Sequence, residues 1–366
     1  MELNKRLLSL DVFRGMTLAA MVLVNDPGSW SYVYYPLGHA EWHGCTPTDL
    51  IFPFFLFIVG VSISLALGKR KQSGVAQGKM MRKILYRTLV IFGIGLLLNL
   101  IPKFDFSTVR IPGVLQRIAL VYGVTALLFL KTDWRQQLYF AAACLLGYWV
   151  LMALVPVPGI GPANLEPETN LGAWLDNLLM EGHLWSQSKV WDPEGLLSTI
   201  PAFATSIAGI LTGTWLKTKY SHHQKIIGMM VFGAVLTVLG LFWGLGFPIN
   251  KKIWTSSYVL YHSGIALQLL AVIYWVVDIL GYKKWIQPFR VFGVNSLFVF
   301  VGSGLLAKLL IYTNIGGQSS YSWIFENVFQ SWLPNYPASL AFALTMVFLF
   351  WAVLTWMYRR RIFIKI

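Results

Sequence analysis

Thr48-Asp49-Leu50-Ile51-Phe52-Pro53-Phe54-Phe55-Leu56-Phe57-Ile58-Val59-Gly60-Val61-Ser62-Ile63-Ser64-Leu65-Ala66-Leu67-Gly68 is followed at once by Lys69-Arg70-Lys71. From Leu50 to Gly68 no residue is charged, and the run approaches the ~20 residues a helix needs to cross the hydrocarbon core. Stretches of the same kind recur along the chain. Ten are read, at roughly 9–26, 48–68, 84–102, 113–131, 137–156, 194–216, 226–247, 254–280, 289–312 and 336–358. The expected fold class is therefore all-α: a polytopic helical membrane protein with about ten transmembrane helices, forming one domain over residues 1–366. Of the 366 residues, 56% are hydrophobic and only 12% charged. That excludes a disordered chain, a small disulfide scaffold and nearly every soluble fold.

The charged residues set the topology. One set of span ends carries Lys5/Arg6, Lys69/Arg70/Lys71, Lys79/Arg82/Lys83, Lys131/Arg135, Lys217/Lys219/Lys225, Lys283/Lys284 and Arg359/Arg360/Arg361/Lys365. The opposite ends carry only Lys103, Arg110, Lys189, Lys251 and Lys252. Basic residues accumulate on the cytoplasmic side, so both termini are expected in the cytoplasm. The net charge of +14 thus reads as membrane orientation, with no nucleic-acid partner. Lys5 and Arg6 before an apolar run mimic a signal peptide, but Asp11 and Arg14 interrupt that run and no cleavage site follows. It is read as a retained first helix. Three larger pieces face outward: 27–47, 157–193 and 313–335. The last, with Tyr321, Trp323, Phe325, Phe329 and Trp332, reads as an interfacial amphipathic segment. No internal repeat is visible. Cys45 and Cys144 have no spacing that suggests a disulfide or a metal framework.

The first outward piece concentrates the chemistry. It runs from Asn25-Asp26-Pro27-Gly28 to His39-Ala40-Glu41-Trp42-His43-Gly44-Cys45-Thr46-Pro47-Thr48-Asp49. An imidazole at a membrane–water boundary can take a proton from an amine or hydroxyl near neutral pH, and a neighbouring carboxylate or amide can fix its tautomer. Against this stand plainer readings. Either His can be simply solvated, Cys45 can be an inert small residue, and Asp49 can cap the second helix, with Thr46 and Thr48 as rivals. His39 and His43 have metal-ligand spacing if helical, but no third ligand is evident and no metal is expected.

Ionisable groups inside spans are costly in lipid and are usually paired or functional. Asp11 and Arg14, three apart, can pair with each other. Arg117 has no acidic neighbour in sequence and needs either a partner from another helix or an anionic ligand such as phosphate. Asp278 and Lys308 lie near span ends. Asp192 and Glu194, in Asp192-Pro193-Glu194-Gly195, can cap a helix or bind an ammonium or sugar hydroxyls. His262, Asn295 and Ser296 are either interhelical glue or pocket lining. No phosphate-binding loop, Gly-x-Ser-x-Gly or Cys-x-x-Cys occurs.

These motifs, taken in order, resemble one family. Leu8-Ser9-Leu10-Asp11-Val12-Phe13-Arg14-Gly15 leads to Asn25, then to His39-Ala40-Glu41-Trp42-His43-Gly44 and Thr48-Asp49-Leu50-Ile51-Phe52-Pro53. Arg110-Ile111-Pro112-Gly113-Val114-Leu115-Gln116-Arg117, Asp192-Pro193-Glu194-Gly195, Phe247 to Trp254 and Gly293-Val294-Asn295-Ser296 follow. The order is similar to that of the heparan-alpha-glucosaminide N-acetyltransferase family and its bacterial homologues. The resemblance implies a transmembrane acetyltransferase, with acetyl-CoA from the cytoplasm and a glucosamine amine as acceptor on the far side. It selects His39 over His43 as the catalytic base and Asn25 as an active-site residue. Animal members carry a further lumenal domain before the first helix and one more span. His43 and Cys45 stand where the family ordinarily has neither.

The expectation is an acetyl-CoA-dependent N-acetyltransferase of a bacterial inner membrane. His39, Asn25 and Asp49 are assigned to catalysis. Arg117, Gln116, Arg14, Asn295 and Ser296 are assigned to acetyl-CoA, and Glu41, Trp42, Asp192 and Glu194 to the amino-sugar acceptor. A homodimer suits the aromatic content. Direct transfer in a ternary complex competes with an acetyl-His39 intermediate. The alternative functions are a saccharide transporter or flippase, which needs no acetyl-CoA, and a non-catalytic scaffold, which tolerates loss of Asn25, His39 and Asp49.

Overall fold

Long apolar runs in lipid must satisfy their backbone groups internally, and the chain does so with helices. The computed structural model describes residues 7–72 and 77–364. Lys5, Arg6 and Lys365 of the charge pattern lie outside the described residues. In chain order the helices are α1 (Leu8–Asn25), α2 (Ile51–Gln72), α3 (Gln77–Leu100), α4 (Val114–Lys131), α5 (Trp134–Leu154), α6 (Leu171–Met180), α7 (Thr199–Leu216), α8 (His222–Gly244), α9 (Ser256–Tyr274), α10 (Gln287–Val294), α11 (Ser296–Tyr312), α12 (Ser320–Ile324) and α13 (Asn335–Arg359). Among the described residues, nine helices are long and apolar enough to cross a membrane, or ten if the bent α10–α11 pair is counted as one span. The protein is an all-α polytopic membrane protein, and each expected span coincides with a helix or a helix pair.

Two expectations need correction. The span read as continuous over 289–312 is broken: α10 and α11 meet at 85° across Asn295. Asn295 has φ −120° and ψ 44°, outside the helical region. Its side-chain amide is engaged with backbone, which competes with helix continuation. The outward piece 157–193 contains α6, which hydropathy over a 20-residue window passes over because it has only ten residues. Asn170 starts α6 by accepting from the Ala173 N–H at 3.0 Å.

The helices form two compact units. The first holds residues up to Ala40, then Cys45–Phe52 and Val272 onward. Here α1 is the centre and packs on α10, α11 and α13. The α1–α10 approach is very close: a Cβ on Gly15 would lie 1.7 Å from the Phe289 carbonyl oxygen, and one on Gly293 would lie 2.2 Å from that of Asp11. The Asp278 carboxylate accepts from the Ser9 and Leu8 N–H groups at the start of α1, at 2.9 and 3.3 Å. Residues 313–335, expected as one amphipathic segment, form a two-stranded hairpin (Asn314–Ile315 with Gln318–Ser319), α12 and a π-helical turn over Phe325–Gln330.

The second unit holds Glu41–Gly44 and Pro53–Ala271. Its centre is α4 and α7, 61% and 67% buried over their spans, while α3 and α8 are 11% and 17% buried and offer apolar side chains outward. Lipid solvates such faces. α2 meets α7 through glycines. A Cβ on Gly60 would sit 1.9 Å from the Ser206 carbonyl oxygen, and one on Gly209 would sit 2.0 Å from that of Phe57. Small residues of this kind let helix backbones approach where no hydrophobic effect drives association.

Candidate active site

In the first unit the chemistry sits on the chain between α1 and α2. α1 ends at Asn25, whose side chain is exposed. The turn beyond it is tied down on three sides. The Gly28 N–H donates to the Ser339 carbonyl at 3.2 Å, the Ser29 N–H to Ser339 Oγ at 3.1 Å, and the Tyr321 hydroxyl to the Pro27 carbonyl at 2.7 Å. The chain then returns through a short 3-10 turn, Tyr35–Leu37, to Gly38 and His39.

A capping box opens the next helical segment. Thr46 is the N-cap, Pro47 takes the first helical position and Asp49 the third. Pro there costs no hydrogen bond, since that N–H has no intrahelical partner. The Asp49 carboxylate, 1% exposed, does more than cap. Its Oδ2 accepts from the Thr46 N–H at 3.0 Å and the Ala40 N–H at 3.0 Å. Its Oδ1 lies 2.7 Å from His39 Nδ1. Thr46 Oγ1 is 2.6 Å from the Gly38 carbonyl and 3.1 Å from Asp49 Oδ2, and its single proton suits the shorter contact. Two backbone N–H groups thus converge on this buried carboxylate, an arrangement in which it serves as an acceptor. His39 Nδ1 must then carry a hydrogen, which leaves the lone pair of the neutral imidazole on Nε2. The His39 side chain is 38% exposed. An imidazole held by a carboxylate and open to solvent has the geometry that a base–orienter pair requires.

The same unit holds a residue that the sequence analysis left unassigned. Asp26, one residue beyond α1, is 5% exposed. Its carboxyl makes no hydrogen bond or ion pair among the described residues, and burial alone pushes it up to about 7. An Asp-Pro pair reads in sequence as a turn, and only burial distinguishes this one.

Arg14 and Asn295, assigned to acetyl-CoA, are engaged within this unit. Arg14 lies 3.5 Å from Asp11 and donates to the Gly293 carbonyl at 3.4 Å. Asn295 Nδ2 donates to the Ile362 carbonyl at 3.1 Å, and its Oδ1 accepts from the Ile364 N–H at 2.9 Å. Ser296, half-buried, is the first residue of α11.

In the second unit, Trp42 Nε1 donates to the Leu165 carbonyl at 2.9 Å and the indole packs edge-on to Trp191 at 5.2 Å. The Glu41 side chain is exposed, and its carbonyl accepts from Lys252 Nζ. Residues 39–43 are not helical, and His43 contacts the Asn250 amide at 3.3 Å, so the His39/His43 spacing does not define one helix face. Neither Cys45 nor Cys144 forms a disulfide among the described residues.

Asp192 and Glu194 are taken by Arg110. Its Nε and Nη2 bind the two Asp192 oxygens at 2.8 and 2.6 Å, and Nη2 reaches Glu194 Oε2 at 2.6 Å. Asp176, on α6, accepts from the Leu196 N–H at 2.9 Å behind the same turn. Burial, with the nearby Asp192 charge adding to it, pushes the Asp176 carboxyl up to about 7. Arg117 approaches this turn from α4. It is 1% exposed; its Nη2 donates to the Gly195 carbonyl at 3.0 Å and to Ser198 Oγ, and the Trp254 ring covers the guanidinium at 5.2 Å. Arg117 Nε and Nη1 have no hydrogen-bond partner among the described residues, and neither has Gln116 Nε2. Of the two outcomes left open for Arg117, a protein partner supplies only part of its bonding.

A family model described as heparan-alpha-glucosaminide N-acetyltransferase, catalytic, matches residues 6–243. The chain belongs to that family. The matched residues include Asn25, His39 and Asp49 in the first unit and Gln116, Arg117, Asp192 and Glu194 in the second. The chain is 34% identical to the heparan-alpha-glucosaminide N-acetyltransferase of Homo sapiens over 359 residues, covering 82% of this chain and 53% of the human protein. It is 32% identical to that of Mus musculus over 360 residues, covering 82% of this chain and 54% of the mouse protein. The chain thus spans about half the length of these heparan-alpha-glucosaminide N-acetyltransferases.

Proposed function

We propose that the protein is a membrane-embedded N-acetyltransferase. It moves the acetyl group of cytoplasmic acetyl-CoA to the amine of a glucosamine-type acceptor on the extracytoplasmic side of a bacterial inner membrane. The observation that carries this reading is the His39–Asp49 pair on a loop of a chain that belongs to this family. Acetyl-CoA supplies an activated thioester. His39 Nε2 takes a proton from the acceptor nitrogen as it bonds to the acetyl carbon, and returns it to the departing sulfur. Asp49 keeps the imidazole in the tautomer that can do this and stabilises it once protonated. Asn25, exposed at the end of α1, offers its amide N–H to the carbonyl oxygen, where charge develops.

Arg117 and Gln116 have the donors to hold the donor's acyl arm. Around Arg117 there is no surplus of positive charge: two guanidiniums, Arg110 and Arg117, face Asp192 and Glu194, with the Asp176 carboxyl behind the same turn. A phosphate there would bring uncompensated charge into a buried place. Amide or thioester carbonyls would use the Nε and Nη1 hydrogens without doing so. We therefore assign Arg117 to the arm of acetyl-CoA and its phosphates to the basic cytoplasmic end. Direct transfer suffices, because a sugar amine that has lost one proton needs one further base. Arg110, Asp192 and Glu194 serve to hold the turn that Arg117 touches.

The test uses purified protein in detergent with radiolabelled acetyl-CoA, with and without glucosamine. Wild type makes labelled N-acetylglucosamine and His39→Ala does not. Labelled enzyme trapped without acceptor would replace direct transfer by an acetyl-histidine route. The broken α10–α11 pair is a feature that transporters share, and a protein that neither binds nor consumes acetyl-CoA would belong to that class instead.

A further inference from the structure

Making an amide from an ammonium removes two protons from nitrogen. One must leave before attack, because an ammonium has no lone pair. The second leaves as the new C–N bond forms. In the acetyltransfer reading, on which this inference rests, His39 carries one proton from nitrogen to sulfur. That accounts for the second proton and leaves the first without a receiver.

Asp26 has the properties of that receiver. It follows Asn25 directly, on the loop that carries His39 and in the same unit. It is 95% removed from solvent, yet among the described residues no cation or hydrogen-bond donor meets its carboxyl. Tyr321 of α12, whose side chain feels the Asp26 charge, is the titratable group that faces it, and its hydroxyl is already given to the Pro27 carbonyl. Phe325 and Phe342 close in on the neighbouring Gly28. A buried carboxylate without a counter-ion is costly, and such groups are retained where a ligand supplies the missing charge.

We propose that Asp26 is a second proton acceptor of the reaction, which holds the ammonium group of the acceptor and takes its first proton before His39 takes the second. The balance closes. The ammonium N–H bond breaks and Asp26 gains that proton, leaving a neutral amine. The nitrogen lone pair bonds to the acetyl carbon, the C–S bond breaks, and His39 moves the second proton from nitrogen to sulfur. Asp26 then returns the first proton to water. A carboxyl near 7 matches a sugar ammonium, so the first transfer is nearly free of cost in either direction.

Asp26→Asn is the variant of choice, since it keeps the shape and neutral charge of the protonated carboxyl. kcat/KM for glucosamine is measured at about pH 7.5, where Asp26 is largely ionised and much of the amine is still protonated, and about pH 9, where the amine is free. The expected result is a loss of about tenfold or more at the lower pH and within about twofold of wild type at the higher, with Asp26→Glu recovering most of the loss. In equilibrium dialysis without acetyl-CoA, Asp26→Asn weakens glucosamine binding about tenfold and leaves N-acetylglucosamine binding unchanged. An equal loss at both pH values would make Asp26 merely structural, and no loss at either would remove it from the reaction; both overturn the proposal while acetyl transfer stands. Wild type that binds glucosamine through Asp26 but makes no product keeps the ammonium site and defeats the transferase reading. Wild type that neither binds nor acetylates glucosamine defeats both.

Discussion

His39 Nδ1 lies 2.7 Å from Asp49 Oδ1, and the carboxylate that holds it is itself fixed by the Ala40 and Thr46 N–H groups. One side chain therefore caps a helical segment and orients the imidazole. The two readings weighed for Asp49, cap and catalytic partner, are compatible in a single geometry, because a carboxylate has two oxygens and the cap uses only one.

Asp49→Asn should cost about 10²- to 10⁴-fold in kcat, the usual range for losing a positioned general base. If the amide oxygen keeps the two N–H groups, its NH2 faces His39 Nδ1 and moves the imidazole hydrogen to Nε2; the opposite orientation costs the loop about 1 kcal/mol of capping. Turnover and a melting curve on the same preparation check both. A variant that keeps wild-type kcat would remove the pair from catalysis.

Arg110→Ala should destabilise the second unit by about 3–5 kcal/mol, because it strands the buried Asp192 and Glu194 carboxylates. Adding Asp192→Asn and Glu194→Gln should recover much of the loss. Thermal unfolding in detergent measures this, and a triple variant no better than Arg110→Ala would refute the charge argument.

Asn295→Ala should free the backbone of Ile362–Ile364. Each lost hydrogen bond is worth about 1 kcal/mol. Trypsin should then cut at Arg359–Arg361 faster than in wild type, as read by mass spectrometry of the intact chain. Equal cutting would mean that the amide does not secure the tail.

Asp26 gives a stability signature of its own. Its carboxyl rises from 3.8 to about 7 on burial. The folded state therefore binds a proton that the unfolded state has released between these values. The contribution favours folding at low pH and is lost as pH rises through about 7. Asp26→Asn cannot ionise, so it should match wild type near pH 4 and exceed it at pH 8 by on the order of 1–3 kcal/mol. Melting temperatures at the two pH values decide it.

Gly60→Ala should weaken the α2–α7 crossing by about 1–3 kcal/mol, because the added methyl would fall 1.9 Å from a backbone oxygen and two helices must part. An unchanged melting temperature would show that the crossing adapts.

Much of this protein was legible from its sequence. Hydropathy is local and additive, so the apolar runs locate the helices. The ordered motifs single out Asn25 and His39 and place the chain in its family before any contact is known. Short or interrupted elements escaped for a physical reason. α6 is too short to register as a span, and the break at Asn295 arises from bonds to residues 67 and 69 positions away.

What the tertiary structure alone decided is which polar groups meet. Arg110 claims Asp192 and Glu194 from 82 and 84 residues away, so two carboxylates that read as sugar ligands are ion-paired. Arg117 finds a carbonyl, a hydroxyl and a ring, yet two of its nitrogens have no partner among the described residues. Asp26, indistinguishable in sequence from any turn aspartate, is buried without a partner among the described residues. The energy of a polar group depends on its burial and its neighbours in space, and neither is a property of its place along the chain.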